Sequence, residues 1–210
     1  MQTVLVASSK GGCGKSTVVT HLAAYHANKG HHVTVVDADP QASSHAWCAR
    51  RPDNVPGVLA LEGARQSTFD RVPSDTHVLL IDSPAGIHGR MLEPLLERAD
   101  AVLVPVLPST FDFDASAAFT ERLSTVGRIR RGKLPVGLVA NRLRPWTRAS
   151  QQALEDMRQL PFPLAGKIRD SQAYVLLSGL GKGIFDYHSE YVRGHQRDWR
   201  RLLGWLTRNT

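Results

Sequence analysis

The sequence is poor in cysteine and has no long apolar segment. Its two cysteines, Cys13 and Cys48, form neither a disulfide framework nor a Cys-x-x-Cys motif. We therefore expect a chain from a reducing compartment, without a cysteine-ligated iron–sulfur cluster. No run of about 18 apolar residues occurs, so the sequence predicts no membrane-spanning helix.

The chain also lacks an internal repeat, a low-complexity tract and an obvious linker between domains. A predicted strand begins at residue 3, so we expect no signal peptide at the amino end. The length of 210 residues suits one domain with a sizeable core, and we expect residues 1–210 to form a single domain. Because we expect no signal peptide and the two cysteines suit a reducing compartment, we expect the protein in the cytoplasm.

Acidic residues are scarce in the second part of the chain. Residues 1–121 hold 9 Lys/Arg and 13 Asp/Glu, a balance of −4, whereas residues 122–210 hold 17 and 6, a balance of +11. Such an arginine excess suits contact with a phosphate backbone without sequence readout, although a solvated face that only aids solubility is the alternative. The candidate DNA-binding residues are Arg130, Arg131, Arg193, Arg197, Arg200 and Arg201.

Glycine is concentrated in a loop between a predicted strand and a predicted helix. The apolar run 3–7 leads into Ser-Lys-Gly-Gly-Cys-Gly-Lys-Ser-Thr at residues 9–17, and a helix-forming run follows. Glycines let such a loop turn tightly, and the helix start favours an anion. Lys15 suits the β- and γ-phosphates of a nucleotide, and the Ser16 hydroxyl suits Mg²⁺. The predicted ATP-binding residues of this loop are Lys10, Gly11, Gly12, Cys13, Gly14, Lys15, Ser16 and Thr17.

Carboxylates follow two further apolar runs. Residues 32–36 lead into Asp37-Ala38-Asp39-Pro40-Gln41, and residues 78–81 lead into Asp82. Acids at the carboxyl ends of parallel strands lie beside bound phosphates, and Asp82 is placed to hold Mg²⁺ through a water. One such run is weak evidence because many buried strands end in a polar residue. The glycine loop followed by these two acidic strand ends, in this order and spacing, is strong evidence for a site that binds phosphate and Mg²⁺.

Apolar runs alternate with helix-forming stretches along the chain. Further strands are predicted at residues 101–105 and 136–140. The predicted helices are 17–28, 87–99, 114–126, 148–159, 170–178 and 188–207. This alternation predicts an α/β fold with a mostly parallel sheet and helices on both faces.

The lysine before the glycine pair makes the loop resemble the deviant Walker A loop of the ParA/MinD family of P-loop ATPases. The Asp-x-Asp-Pro-Gln segment and residues 78–82 fit the same family, and the chain is most similar to its short ParA (ParF-type) members. The resemblance implies ATP and Mg²⁺ as cofactors and an ATP-sandwich homodimer in which Lys10 reaches the partner's nucleotide. It also implies that Asp39 positions the attacking water and contacts the metal shell, with support from Asp37. The implied catalytic residues are Lys10, Lys15, Asp37 and Asp39.

The resemblance extends less sharply beyond residue 86. The run 136–140 is followed by Asn141 and Arg142, and a similar pair lies near the adenine in relatives. Asn141 is therefore a candidate contact to the base, while a turn asparagine after a strand is an equal alternative.

The implied function is that of a ParA-type ATPase that partitions or positions cargo over the nucleoid. The cargo is a plasmid, a chromosome or a protein organelle such as a carboxysome. The expected partners are a second copy of the chain, non-specific DNA and a small adaptor protein that stimulates an otherwise slow hydrolysis.

Two alternatives remain. The last predicted helix carries an apolar stripe of Trp199, Leu202, Leu203 and Leu206. The stripe suits either a MinD-like division-site regulator, which would lie on a membrane through this helix, or packing on the sheet. We expect this stripe to pack on the sheet, and we therefore expect no membrane contact. A metabolic enzyme on the same fold is the other alternative, but no substrate pocket or cluster-ligating cysteine pattern is evident.

Overall fold

The chain folds around one seven-stranded sheet. A computed structural model describes the backbone of residues 1–210 and the side chains of residues 1–109 and 112–210. The strands are β1 Gln2–Val6, β2 Val33–Asp37, β3 Leu59–Glu62, β4 Val78–Asp82, β5 Ala101–Val106, β6 Val136–Leu143 and β7 Leu164–Arg169. The α-helices are α1 Lys15–Asn28, α2 Ser43–Ala49, α3 Gln66–Phe69, α4 Glu93–Arg98, α5 Thr110–Thr125, α6 Gly127–Arg130, α7 Arg148–Met157, α8 Gln172–Gly179 and α9 Glu190–Asn209.

All neighbouring strands run parallel, in the order β3-β2-β4-β1-β5-β6-β7. Strand β1 is the central strand: the chain first builds β2 and β3 on one side, returns to β4 beside β1, and then adds β5, β6 and β7 on the other side. In open parallel sheets a crevice forms where the strand order reverses, beyond the carboxyl ends of the strands. The glycine loop that follows β1 lies at this edge.

Helices cover both faces of the sheet, as the sequence predicts. Helices α1, α2, α8 and α9 bury their apolar side chains against one face, and α3 to α7 pack against the other. Burial on both faces explains why the central strands are runs of valine, leucine and isoleucine instead of alternating patterns.

Several elements differ from the sequence predictions. The short edge strands β3 and β7 and the helices α2, α3 and α6 were not predicted, because short or polar segments give weak periodic signals. The helix predicted at 87–99 is a 3₁₀ turn at Gly89–Met91 followed by α4. Pro94 lies in the first turn of α4, where its missing N–H costs no hydrogen bond, and this favours a later helix start.

The last helix packs on the sheet. Trp199, Leu202 and Leu206 are buried in the same core as α1 and β7, and the Trp199 indole stacks on the imidazole of His21. The apolar stripe of α9 is thus used inside the protein. None of the helices in the described part of the chain combines the length and the apolar character that crossing a bilayer requires.

A buried ion pair fastens the segment after α2 to the segment before α9. Residues 50–56 look like a surface loop in the sequence, yet the Arg51 side chain is only 4% exposed and pairs at 3.0 Å with the fully buried Asp186 carboxylate. The guanidinium also lies 4.7 Å from the Trp47 ring. Gly181 leaves room for this crossing, because a Cβ there would meet the Arg50 backbone at 2.3 Å.

Replacing Arg51 with alanine should strongly destabilise the protein, because Asp186 would keep an uncompensated buried charge. We expect the free energy of unfolding in urea to fall by about 3–5 kcal/mol. The control is Arg158→Ala, which removes an exposed pair with Glu155 and should cost at most about 1 kcal/mol. Equal losses for the two variants would contradict this role of Arg51.

Candidate functional site

The glycine loop adopts backbone angles that suit glycine. Gly12 and Gly14 have φ of 76° and 92°, in the left-handed region. A Cβ on Gly14 would lie 2.2 Å from the Asn141 side-chain nitrogen, so this position has no space for a larger residue. Gly14 caps α1 without a side-chain hydrogen bond. The first N–H groups of α1 are therefore available to an anion.

Two lysines lie in and beside this loop. The buried Lys15 ammonium donates to the Lys10 carbonyl oxygen at 3.1 Å, which places it inside the loop. The Lys10 ammonium instead points to α5 and pairs with the Asp112 carboxylate at 3.1 Å. The two cations thus differ in setting: Lys15 is enclosed, and Lys10 is one-third exposed.

Two carboxylates lie side by side beneath the loop. Asp37 and Asp82 are paired in register on β2 and β4, and both are fully buried. Asp37 accepts hydrogen bonds from the N–H groups of Asp39 and His45. Neither oxygen of Asp82 has a well-formed hydrogen bond to the residues that the structure describes.

The surroundings of Asp82 favour its protonated form. Burial raises the pKa of this carboxyl to about 7, and the nearby Asp37 carboxylate adds to the rise. The Ser16 and Ser44 hydroxyls and the Lys15 ammonium oppose it without cancelling it. A buried acid with free oxygens beside hydroxyl groups is a donor set that suits Mg²⁺, which prefers oxygen ligands and commonly uses one or two carboxylates with substrate phosphates. The residues present therefore fit this ion.

Asp39 links two chain segments at the edge of the site. One of its oxygens accepts from Gln41 N–H at 3.0 Å, and the other accepts from Ala85 N–H at 3.2 Å. The segment after β2 is thus tied to the segment after β4. Ala42, three residues after Asp39, has a left-handed φ of 50°. Strained conformations of this kind cluster at functional sites.

A cleft of about 810 Å³ opens beside the start of α1. Asn141 lines it, together with Thr17, Pro108 and Asp112. The Asn141 amide donates to the Cys13 carbonyl oxygen at 2.8 Å, so this side chain supports the loop. Its contact to a base stays a prediction.

The structure does not bring the six candidate DNA-binding arginines together. Arg130 and Arg131 lie at α6 on one face of the sheet, and the other four lie on α9 on the opposite face. All six residues are exposed.

Sequence reasoning missed two residues of the site. Ser44 is buried beside Asp82, and Asp112 holds Lys10. Neither belongs to a motif of its own, although Ser44 follows the Asp-x-Asp-Pro-Gln segment closely.

Comparison with known proteins gives a consistent result. The profile of the CobQ/CobB/MinD/ParA nucleotide binding domain matches residues 4–182. Maintenance of carboxysome distribution protein A of Halothiobacillus neapolitanus is 32% identical over 160 residues, which is 73% of each chain. The protein of the same name from Gloeobacter kilaueensis is 27% identical over 217 residues, 99% of this chain and 95% of its own.

A solved structure has the same fold. A candidate plasmid partition protein of Borrelia burgdorferi B31, bound to AMPPNP, superimposes with a TM-score of 0.74 at 16% identity. The similarity covers 100% of this chain and 99% of the other.

The raised pKa of Asp82 predicts an unusual pH dependence for the protein without nucleotide. The folded state holds this proton more tightly than the unfolded chain, so the free energy of unfolding should fall as pH rises from about 4 to about 7. Asp82→Asn should remove that fall and leave a more stable protein at pH 8, by about 1.4 kcal/mol per unit of pKa shift.

Urea titrations at a series of pH values would measure this effect, with Asp53→Asn at an exposed position as the control. Parallel stability profiles for Asp82→Asn and the unmodified protein would contradict the assignment.

Proposed function

Because the chain belongs to the CobQ/CobB/MinD/ParA nucleotide-binding domain family, we propose that it is a ParA-type ATPase that partitions or positions an intracellular cargo over the nucleoid. The cargo is a plasmid, a chromosome or a protein organelle such as a carboxysome. ATP-dependent dimerisation creates a DNA-bound state, and hydrolysis stimulated by a small adaptor protein ends it. Residues 1–210 act as one cytoplasmic ATPase domain with ATP and Mg²⁺ as cofactors. The names of the relatives and of the structural neighbour support this assignment.

One observation carries the nucleotide chemistry: a glycine loop with an enclosed lysine lies above a buried acid whose oxygens have no well-formed hydrogen bond in the described part of the chain. In the proposal Lys15 and the N–H groups of α1 bind the phosphates. The Ser16 hydroxyl would be a ligand of Mg²⁺, and Asp82, beside it, would hold the ion through a water. The ion would neutralise charge on the β- and γ-phosphates.

Asp39 is proposed to position the attacking water and to approach the metal shell. Its hydrogen bonds to both neighbouring segments fix the carboxylate at the rim of the site. Asp37 orients it, since its own carboxylate accepts the Asp39 N–H. No neutral histidine or other strong base contacts Asp39 among the described residues, which fits a slow basal reaction.

Lys10 is proposed to act on the nucleotide of a second copy. Phosphoryl transfer moves negative charge toward the leaving oxygen, and a cation supplied by a partner stabilises that charge. In the single chain Lys10 is held by Asp112 and is partly open to solvent. Dimerisation must therefore exchange the Asp112 contact for the partner's phosphate.

The C-terminal half supplies the positive surface for DNA. The proposed contacts are the exposed Arg130 and Arg131 at the end of α6 and Arg201 on α9, and such side chains release counterions when they contact phosphates. The MinD-like alternative has less support, because the apolar side chains that α9 would insert into a membrane are packed in the core. No observation favours a metabolic reaction.

Binding to a random-sequence DNA duplex tests the proposed function. With ATP and Mg²⁺ we expect binding that weakens steeply between low and moderate salt, and with ADP or no nucleotide we expect much weaker binding. Fluorescence anisotropy would measure it, with anionic liposomes as a parallel arm. ATP-dependent liposome binding without DNA binding would make the membrane alternative the better one.

Lys10→Ala should leave ATP binding nearly unchanged but abolish ATP-dependent dimerisation, because the lysine acts only across the interface. Lys15→Ala should abolish ATP binding itself. Isothermal titration with ATP and light scattering with and without ATP would separate the two effects, with the exposed Lys133→Ala as the control. Normal ATP-dependent dimerisation of Lys10→Ala would overturn the role of this lysine in trans.

A further inference from the structure

A second concave site lies away from the nucleotide cleft. A groove of about 690 Å³ runs between the end of α1 and the outer side of α9. Its walls are firmly attached: the Gln196 side chain donates to the carbonyl oxygens of Ile184 and Tyr187, and the Asn28 side chain donates to Asp186. The groove is therefore a built feature of the fold.

The rim of this groove is strongly positive. Lys29, Arg193, Arg197 and Arg200 line it, and no acidic residue does. None of these four cations has an ion pair within 4.0 Å in the described part of the chain.

The three arginines follow one another at spacings of four and three residues on α9, so they share one helix face over about 10 Å. Like charges at these spacings destabilise a helix. An anion that binds along this row would reduce the repulsion between the three arginines.

The floor of the groove is apolar. Tyr25 and Phe185 are half-buried and meet edge to face, with ring centroids 5.0 Å apart, and Leu203 lies beside them. Lys29 lies 5.9 Å from the centroid of the Tyr25 ring. Aromatic and arginine side chains in a pocket are the groups that most often anchor a bound protein.

We propose that this groove docks an acidic segment of a partner protein, in which carboxylates meet the arginine row and an aromatic or aliphatic side chain enters the Tyr25–Phe185 floor. Both parts of the site are needed for this ligand. A duplex binds through its phosphates, so it would use the cations and leave the apolar floor empty. The proposal goes beyond the ATPase function and requires no nucleotide.

The assignment divides the candidate DNA-binding arginines into two groups. Arg193, Arg197 and Arg200 belong to the docking groove. Arg130 and Arg131, on the opposite face of the sheet, and Arg201, which is on α9 but does not line the groove, are left for DNA. The two groups can therefore be tested against each other.

The test compares a groove variant with a variant of equal charge change on the other face. The groove variant is Arg193→Glu, Arg197→Glu, Arg200→Glu, and the control is Arg130→Glu, Arg131→Glu, Lys133→Glu, at exposed positions near α6. The probe is a fluorescein-labelled dodecapeptide in which Glu and Asp alternate with Phe and Leu. A polyglutamate peptide of equal net charge and a random-sequence DNA duplex complete the set, and thermal unfolding checks that each variant is folded.

We expect the mixed peptide to bind in a salt-sensitive way, the groove variant to weaken that binding about tenfold or more, and the control to leave it unchanged. Tyr25→Ala should weaken binding of the mixed peptide but not of polyglutamate. The groove variant should keep its DNA binding. Absence of DNA binding by the unmodified protein would count against the proposed function and leave this proposal intact.

Three results would overturn the proposal. The first is equal binding of the mixed peptide to the groove and control variants. The second is equal affinity for the mixed peptide and polyglutamate, which would remove the apolar floor from the site. The third is loss of DNA binding in the groove variant together with displacement of the peptide by duplex, which would make the groove a nucleic-acid surface.

Discussion

The site depends on two carboxylates that parallel pairing forces together. Because β2 and β4 are neighbours in register, Asp37 and Asp82 end at the same level beneath the glycine loop. Asp37 is satisfied by backbone N–H groups, whereas Asp82 has free oxygens and a pKa raised to about 7. A buried acid without a partner is costly in the protein alone, and a cation bound with phosphate removes that cost. The cost of burying Asp82 in the protein alone and the suitability of the site for Mg²⁺ therefore have the same physical origin.

The two lysines of the glycine loop have different contacts in the single chain. Lys15 is enclosed and donates to the loop itself, which keeps its ammonium in place before a phosphate arrives. Lys10 is paired with Asp112 in the single chain, so its use across an interface requires that an internal contact be broken. Asn141 supports the loop from β6 by bonding the Cys13 carbonyl oxygen, and Asp39 ties together the segments after β2 and β4. The loop is thus joined to β6 by Asn141, and the segments after β2 and β4 are joined to each other by Asp39.

Helix α9 serves two purposes on its two sides. Its apolar side closes the core against β7 and α1, and its outer side carries a row of arginines above an aromatic floor. The amphipathic pattern is equally compatible with a membrane-surface helix. In the structure Trp199 and Leu202 are buried in the core, so these side chains of the stripe pack on the sheet. Because α1 supplies the opposite wall, the arginine row lines a groove, which a row of arginines on an isolated helix would not do.

The glycine loop, the acidic strand ends, the parallel sheet with helices on both faces and the family to which these belong can all be predicted from the amino-acid sequence. These features depend on short contiguous patterns, and local backbone preferences reveal them. Other features are evident only in the folded protein: Ser44 lies beside Asp82, Asp112 pairs with Lys10, Arg51 is buried against Asp186, and the candidate arginines lie on opposite faces of the sheet. The edge strands β3 and β7 also became evident only there. Each of these depends on contacts between residues far apart in the chain, and packing sets such contacts without leaving a local signal.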